Sequence, residues 1–522
     1  MTKSTTLARN AVNHAVSPCV VGVHAKLRWR DLYREAELYK AAVRIYTKPL
    51  FAWRKALFAS TDKRDLYDFA RSGLQNLAAI HRSLKQETFS FRPAVALHRN
   101  FRGKHRTLYV YPWEERVVDL LLYRLLSARL HSWFSPNSYA YRLRGFGLDR
   151  CQRKIAQLLA ATEEPLFVVK RDIANYFPSV DHGLLLAGLA ELVAPDDYLF
   201  QVLRERIQFP YEEQSLTRGE SSEVRCADQG IAFGTAVACF LANVYLTPLD
   251  RKLDSMEGLR YFRYADDLLL LSANRATMET AAVHFEKSLA ELRLSSKSSH
   301  EQNWVLSRGG AHADGIVTVS RVQHLGLEFC ADGAVRLSRD KCRKICNVFR
   351  FSFRRKRAKL ARIQDPRKRA EFAIRVARHA LEQSVRQVAI IDYYLKHVSE
   401  EAQLRFIDRW LAEEILSLAF RGGHKKSFFR RLPFGALRAM GLPSLVHRRR
   451  QIQHGQIAAP FFVWKSYQTQ KSSRETAARP RPQSASAAFS SSPEAVTGTS
   501  SREELVGERR HLSRGFIEVR KI

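Results

Sequence analysis

Apolar residues follow different spacings in different parts of the chain, and each spacing predicts a different kind of element. In residues 32–45 and 66–84 they recur every three or four positions with basic residues between them, which predicts amphipathic helices. Residues 166–172 and 260–271 are short, nearly continuous apolar runs, which predict buried strands. Residues 340–465 return to helical spacing with many basic residues. The pattern therefore predicts a chain of mixed α and β structure with helical ends.

Shorter elements precede the first buried strand. Residues 94–100 and 107–111 predict two strands around a basic turn at Gly103, and Pro112 is placed to start a helix. Residues 134–142 predict a further strand and turn with a basic end.

Helices and turns follow the strand at 166–172. Residues 183–210 predict helix, and a glycine turn at 230–234 leads into a long apolar helix. A helix is predicted at 276–292, and a small hairpin across Asp332 and Gly333 comes after it.

Composition indicates the class of partner and the compartment of the protein. The 522 residues contain 86 Lys and Arg against 52 Asp and Glu, a net charge of +34, which favours a polyanion such as nucleic acid. A membrane surface is the alternative, but the basic residues are spread along the chain and do not flank an apolar anchor. The seven cysteines include no C-x-x-C pair, and no signal peptide or spanning segment is recognisable. We therefore expect a soluble, cytoplasmic protein with reduced thiols.

The main candidate chemistry lies in the run Tyr264-Ala265-Asp266-Asp267, where two carboxylates interrupt two apolar strands. A short turn there would hold both carboxylates at the tip of a hairpin. Adjacent like charges need a nearby cation or a proton, and hard oxygen ligands favour Mg²⁺ or Mn²⁺. The alternative is a plain hairpin turn.

Other polar residues could complete such a site. Asp172 ends the first buried strand, although a helix cap or turn residue would look the same. Lys104, Arg106 and Arg142 are basic residues in separate loops that could converge on a triphosphate, and each alone is also typical of a solvated surface. Gly234 would allow a ligand to approach the start of the apolar helix.

With Asp172, the glycine turn and Tyr264-Ala265-Asp266-Asp267 in this order, residues 90–340 resemble a reverse transcriptase. The resemblance implies an α+β, right-hand polymerase fold. Its fingers and palm, with a small antiparallel sheet, would occupy residues 91–340, after a basic helical region at 1–90. The predicted later parts are a helical thumb and RNA-binding extension (341–465), a disordered Ser/Ala/Pro-rich linker (466–502) and a basic tail (503–522).

The resemblance also implies roles for individual residues. It places metal ligands at Asp172, Ile173, Asp266 and Asp267, and a lysine beside the leaving pyrophosphate at Lys297. Phe177 matches the aromatic gate that excludes a ribose 2′-hydroxyl, and residues 324–330 resemble the primer grip. The basic finger residues that hold the triphosphate would be Lys104, Arg106 and Arg142.

One motif departs from the family. Ala232-Phe233-Gly234 stands where many reverse transcriptases have Pro-Gln-Gly, so Phe233 and Gly234 would border the nucleotide without the glutamine's hydrogen bonds. Among subfamilies, the chain is most similar to bacterial abortive-infection and defence-associated enzymes, and less similar to retron and group II intron relatives.

The expected function is RNA-directed DNA synthesis with Mg²⁺, or alternatively Mn²⁺, by two-metal nucleotidyl transfer in antiphage defence. The implied partners are an RNA template, with a dedicated non-coding RNA as the finer expectation, the DNA product, deoxynucleoside triphosphates, and a second copy or a partner protein. Synthesis without a template or from a protein primer, and a maturase-like RNA-binding scaffold, are the alternatives.

Overall fold

The computed structural model describes residues 25–49, 55, 62, 64–101, 104–142, 145–213, 223–297, 302–309, 316–382 and 388–457. Residues 1–24 of the predicted N-terminal region, and the linker and tail predicted at 466–522, lie outside the described residues.

The described strands, in chain order, are β1 (Ala94–Phe101), β2 (Lys104–Val110), β3 (Leu166–Asp172), β4 (Pro210–Glu213), β5 (Val224–Cys226), β6 (Arg260–Tyr264), β7 (Asp267–Ser272), β8 (Gln302–Leu306), β9 (Thr318–Val319), β10 (Arg321–His324), β11 (Leu327–Cys330) and β12 (Val335–Leu337).

The described helices are α1 (Trp29–Leu32), α2 (Glu35–Thr47), α3 (Leu66–Arg71), α4 (Gly73–Lys85), α5 (Trp113–Arg129), α6 (Leu148–Ala161), α7 (His182–Ala190), α8 (Tyr198–Ile207), α9 (Ala236–Tyr245), α10 (Thr247–Asp254), α11 (Arg275–Glu291), α12 (Arg339–Arg355), α13 (Arg357–Arg362), α14 (Pro366–Glu382), α15 (Val388–His397), α16 (Glu401–Phe420), α17 (Phe428–Arg431), α18 (Phe434–Ala439) and α19 (Leu445–Gln453).

A five-stranded sheet of order β6-β7-β3-β8-β9 forms the centre of the fold, and its pairs are antiparallel except for β8 with β9. The side chains of β3 alternate between two hydrophobic cores: Phe167 and Val169 join one, and Leu166 and Val168 join the other. Because both faces of the sheet are covered, Leu166–Val169 of β3 and Leu268–Leu271 of β7 are apolar runs without polar alternation. The predicted strand at 166–172 and the hairpin of β6 and β7 are confirmed.

A second sheet, of order β2-β1-β4-β5, lies earlier in the chain, and its β1–β2 hairpin confirms the two predicted strands. The strand predicted at residues 134–142 is wrong. This segment makes only one bridge to the edge of β6, at Ser138 and Arg263. Pro136 has no N–H to donate to a ladder, which agrees with so short a pairing.

The basic C-terminal region is helical over α12 to α19, as predicted. Its aromatic side chains are mostly not available to stack on bases, because Tyr393, Tyr394 and Phe428 are buried in the second core. These three rings therefore do not contribute exposed stacking surfaces to a nucleic-acid groove. No helix among the described residues is long and apolar enough to cross a membrane.

The turn between β11 and β12 offers a test of this packing. Gly333 has φ +80°, and a Cβ built on it would lie 2.6 Å from the backbone nitrogen of Ala160 on α6. Gly258 has φ +75°, and the nearest atom to its Cβ would be 4.0 Å away. The two glycines therefore share the left-handed backbone but differ in space.

We predict that Gly333→Ala lowers the unfolding free energy by roughly 1–3 kcal/mol more than Gly258→Ala, because overpacking adds to backbone strain. Denaturant unfolding of both variants measures the difference. Equal losses would show that the β11–β12 turn does not pack on α6 in this way.

Candidate functional site

The predicted acidic residues meet at one end of the central sheet. Asp172, the last residue of β3, pairs in register with Asp267, the first residue of β7. The backbone N–H of Ile173 donates to the carbonyl of Asp266 at 3.0 Å, which ties the turn of the hairpin to the end of β3. Ala265 turns the chain there with φ +60°. The structure thus brings together the backbones of the four residues predicted as metal ligands.

Lys297 lies directly on Asp172. Its Nζ donates to Asp172 Oδ1 at 2.7 Å, and its backbone N–H donates to the carbonyl of Asp172 at 2.8 Å. Both side chains are half-buried, with 27% of Lys297 and 20% of Asp172 exposed. A lysine ammonium therefore occupies a position at this carboxylate that favours a cation.

Asp267 is set apart from this pair. Its Oδ1 is buried without a hydrogen-bond partner and lies 3.5 Å from Nδ1 of His324, a fully buried residue at the end of β10. Burial lowers the pKa of the His324 imidazole, which the charge of Asp267 opposes. Among the described residues, no three His, Cys, Asp or Glu side chains already form a metal-binding group. The metal role of Asp267 stays a prediction.

An aromatic cluster borders the acidic residues. The ring of Phe177 lies edge-to-face on Phe233, with centroids 5.7 Å apart, and on Tyr141 at 6.3 Å. The guanidinium of Arg106 lies 5.1 Å from the centroid of Phe233. Three of the residues predicted to contact the nucleotide, Arg106, Phe177 and Phe233, are therefore neighbours, and Tyr141 is a member that the sequence analysis missed.

The glycine turn is held against the segment that carries Phe177. The backbone N–H of Ile231 donates to the carbonyl of Phe177 at 2.9 Å, and that of Gly230 donates to Val180 at 2.7 Å. Gly234 has φ +105°, and a Cβ there would meet only Leu108, at 3.8 Å, so space remains around this backbone. The approach of a ligand at Gly234 stays a prediction.

The helix that follows is capped by a residue that the sequence analysis did not single out. Asp119, a buried residue of α5, accepts from the backbone N–H groups of Ala236 and Val237 at the start of α9. Its other oxygen accepts from Nε of Arg206 at 2.8 Å. A lone carboxylate inside the apolar run of α5 is the sequence signal that could have identified it.

The other predicted phosphate ligands differ in placement. The side chain of Lys104 lies outside the described residues. Arg142 donates to the carbonyls of His131, Ser135 and Ser138, and its guanidinium lies 4.0 Å from the centroid of Phe146. Burial lowers the pKa of Arg142 to about 10. These contacts favour a structural role for Arg142 over the predicted contact with a triphosphate.

The segment compared with a primer grip forms the β10–β11 hairpin beside Asp267. Leu325 and Gly326 form its turn, both with positive φ. The side-chain amide of Gln152 donates to the carbonyl of Leu325 at 3.0 Å and accepts from the hydroxyl of Tyr393 at 2.7 Å. Gln152 therefore links this turn to α6 and to the C-terminal helices.

Comparison with known proteins identifies the domain that contains the site. The sequence model of the family described as reverse transcriptase (RNA-dependent DNA polymerase) matches residues 99–329. This range includes Asp172, Asp266 and Asp267, the aromatic cluster and Lys297. No curated protein sequence matches the chain.

Solved telomerase structures are among those similar to the chain. Apo telomerase from Candida tropicalis truncated from the C-terminal domain has a TM-score of 0.37 and 13% identity, over 51% of this chain and 60% of that one. Candida tropicalis telomerase with a TWJ fragment of telomeric RNA has a TM-score of 0.40 and 9% identity, over 74% and 70%. The corresponding Candida albicans complex has a TM-score of 0.40 and 10% identity, over 72% of this chain and 71% of that one.

The fold is the right-hand polymerase fold expected from the sequence, with mostly antiparallel sheets and a helical C-terminal region. This family consists of nucleotidyltransferases that copy RNA into DNA. Residues 99–329 of the chain are therefore a reverse transcriptase domain, the domain of an RNA-directed DNA polymerase.

Proposed function

We propose that the chain extends a primer on an RNA template with deoxynucleotides, and that Asp172 and Asp266 bind the divalent metal ions. The observation that carries this proposal is the meeting of the β3 end with the hairpin turn, tied by the 3.0 Å hydrogen bond between Ile173 and Asp266. The cation already on Asp172 supports it, because the Lys297 ammonium marks a position that attracts positive charge.

The residues present fit Mg²⁺ or Mn²⁺, which take carboxylate and carbonyl oxygens together with substrate phosphates. Asp172 and Asp266 would supply carboxylates, and Ile173, an apolar residue, would supply only its backbone carbonyl. Asp267 would join through its remaining oxygen or support the cluster. When bound, such ions activate the primer 3′-hydroxyl and stabilise the charge of the triphosphate and of the leaving pyrophosphate.

Lys297 has a separate role in this proposal. In the described structure its Nζ neutralises Asp172 at 2.7 Å. An ammonium released from that carboxylate would be available to donate a proton to the leaving pyrophosphate. The contact with Asp172 would thus hold the proton donor next to a proposed metal ligand.

Phe177 and Phe233 would select the sugar. Their edge-to-face contact fixes the Phe177 ring, which would fill the space that a 2′-hydroxyl needs. Arg106, which also contacts the Phe233 ring, would direct its charge to the triphosphate.

Asp266→Asn should reduce primer extension by orders of magnitude, because it removes a metal-directed charge from the hairpin turn. RNA binding and thermal stability should change little. Extension assays on RNA templates measure the effect, with Asp31→Asn, a change at an exposed helical residue, as the control. Retention of more than about a tenth of the activity would argue against the metal assignment.

Phe177→Ala should lower the preference for deoxynucleotides over ribonucleotides by on the order of ten- to a hundredfold in kcat/KM. Phe233→Ala should cause a smaller change in the same direction, because it removes the contact that holds the gate. Phe406→Ala, at an exposed position on α16, is the control. Unchanged discrimination in Phe177→Ala would mean that this ring is only part of the core.

We also propose that the basic helices of the RNA-binding extension bind RNA, and that not all of their basic clusters contribute equally. Arg448 makes a bidentate ion pair with Asp392, and Arg449 and Arg450 both pair with Glu401. These three guanidinium groups are thus ion-paired with carboxylates of the helical region itself. The end of α12 and the start of α13 instead carry exposed basic side chains, at Arg354, Arg355, Lys356, Arg357 and Lys359.

Neutralising Arg354, Arg355 and Arg357 together should reduce the salt dependence of RNA binding. Each lost phosphate contact removes about 0.7 from the log–log slope on single strands, so the change should reach up to about two units.

The matched control is neutralisation of Arg448, Arg449 and Arg450, which removes the same charge from ion-paired positions. It should lower the thermal midpoint while changing the slope by less than about one unit. Filter binding across a salt series measures both variants. A larger slope change in the control would place the RNA on the other surface.

The finer biological role is also a proposal. We infer a cytoplasmic bacterial enzyme that copies a dedicated non-coding RNA in antiphage defence, from the resemblance noted above and the basic helices after the palm. Sequencing the nucleic acid that copurifies with the protein identifies a template. Random product sequences would favour untemplated synthesis, and DNA covalently attached to the chain would favour protein priming. Phage plaque counts that are equal for wild type and Asp266→Asn would exclude a defence role for synthesis and leave an RNA-binding scaffold.

A further inference from the structure

Arg263, on β6, is a fully buried guanidinium three residues before Asp266. Its five N–H groups all have acceptors. Nε and Nη2 donate to the two carboxylate oxygens of Asp250 at 2.8 and 2.5 Å. The other bonds, of 2.7 to 3.2 Å, go to Ser138 Oγ, Asn243 Oδ1 and the carbonyl of Ala265.

The acceptors come from four separate parts of the chain. Asn243 is on α9, Asp250 is on α10, Ser138 is in the segment before α6, and Ala265 is in the turn of the hairpin. The same segment also pairs with the backbone of Arg263, because Asn137 accepts from its N–H at 3.0 Å and Tyr139 donates to its carbonyl at 2.9 Å. Arg263 thus joins two helices and a loop to the hairpin that carries Asp266.

Stability alone is a weak reason for this arrangement, since a buried ion pair can often be replaced by apolar side chains without loss. Burial by itself would lower the pKa of Arg263, but the charge of Asp250 outweighs it and the pKa is raised, so the guanidinium stays charged.

What an apolar side chain could not do is hold the carbonyl of Ala265. That residue has φ +60°, a strained conformation for a residue other than glycine, and it immediately precedes Asp266.

We propose that Arg263, fixed by Asp250, is a positioning residue that holds the turn at Ala265 so that the Asp266 carboxylate is placed to bind metal. The inference rests on the proposed metal role of Asp266. It assigns to the buried ion pair an effect on metal affinity and turnover that is separate from its effect on folding.

Asp250→Asn tests the proposal because it keeps the side-chain shape and removes the charge that fixes Arg263. We expect Mn²⁺, titrated into the full chain without nucleotide and followed by electron paramagnetic resonance, to bind about tenfold more weakly. In extension assays kcat should fall about tenfold, while KM for deoxynucleotides stays within about twofold.

The matched control is Asp392→Asn. Asp392 is also buried and also holds an arginine, Arg448, through two hydrogen bonds of 2.5 and 2.9 Å, but among the C-terminal helices. It should lower the thermal midpoint as Asp250→Asn does, without weakening Mn²⁺ binding.

Wild-type Mn²⁺ affinity in folded Asp250→Asn would overturn the proposal and leave a purely structural pair. If Asp250→Asn does not fold, Ser138→Ala removes one acceptor of the guanidinium with less disturbance. It should weaken Mn²⁺ binding two- to fivefold, and unchanged affinity would again overturn the proposal. Asp266→Asn distinguishes a failure of this proposal from a failure of the proposed metal role of Asp266. If Asp266→Asn leaves Mn²⁺ binding intact, the metal assignment itself fails.

Discussion

The position of the whole site depends on β3 being held on every side. Its faces are buried in two different cores, and its edges are paired with β7 and β8. A strand fixed in this way cannot slip by one residue, because a slip would exchange the side chains of the two cores. Asp172 is therefore a fixed point at which the hairpin, Lys297 and the aromatic cluster are assembled.

Charge compensation then decides how the acidic side chains are arranged. Asp172 is neutralised by Lys297 at 2.7 Å, whereas Asp267 lies against a buried imidazole. Three residues before Asp266, the charge of Arg263 is balanced by Asp250 in a fully buried ion pair. Only a carboxylate near solvent, such as Asp172, can exchange a protein cation for a metal ion. The buried carboxylate of Asp250 instead keeps its arginine partner in place.

Much of this could be predicted from the sequence where the signal is local. The apolar run ending at Asp172 and the two strands around Asp266 follow from side-chain spacing and turn chemistry, which act over a few residues. The same is true of the hairpin of β1 and β2.

The sequence is less informative about charged side chains whose partners are distant in the chain. Arg142 could not be distinguished from a phosphate ligand, because its acceptors are backbone carbonyls that any loop offers. Arg448 pairs with Asp392 through contacts that no spacing rule indicates. Arg263 did leave a signal, since an arginine between aromatic residues of a buried strand requires a buried acceptor. The family resemblance supplied Lys297 and Phe177, which periodicity alone could not.

The most direct test of the account is to locate manganese in crystals of the protein with primer, RNA template and a non-hydrolysable deoxynucleotide, by anomalous diffraction. The account predicts a peak within about 2.3 Å of carboxylate oxygens of Asp172 and Asp266, with Lys297 Nζ moved away from Asp172. A nucleotide bound elsewhere, or a peak that these two carboxylates do not contact, would contradict it.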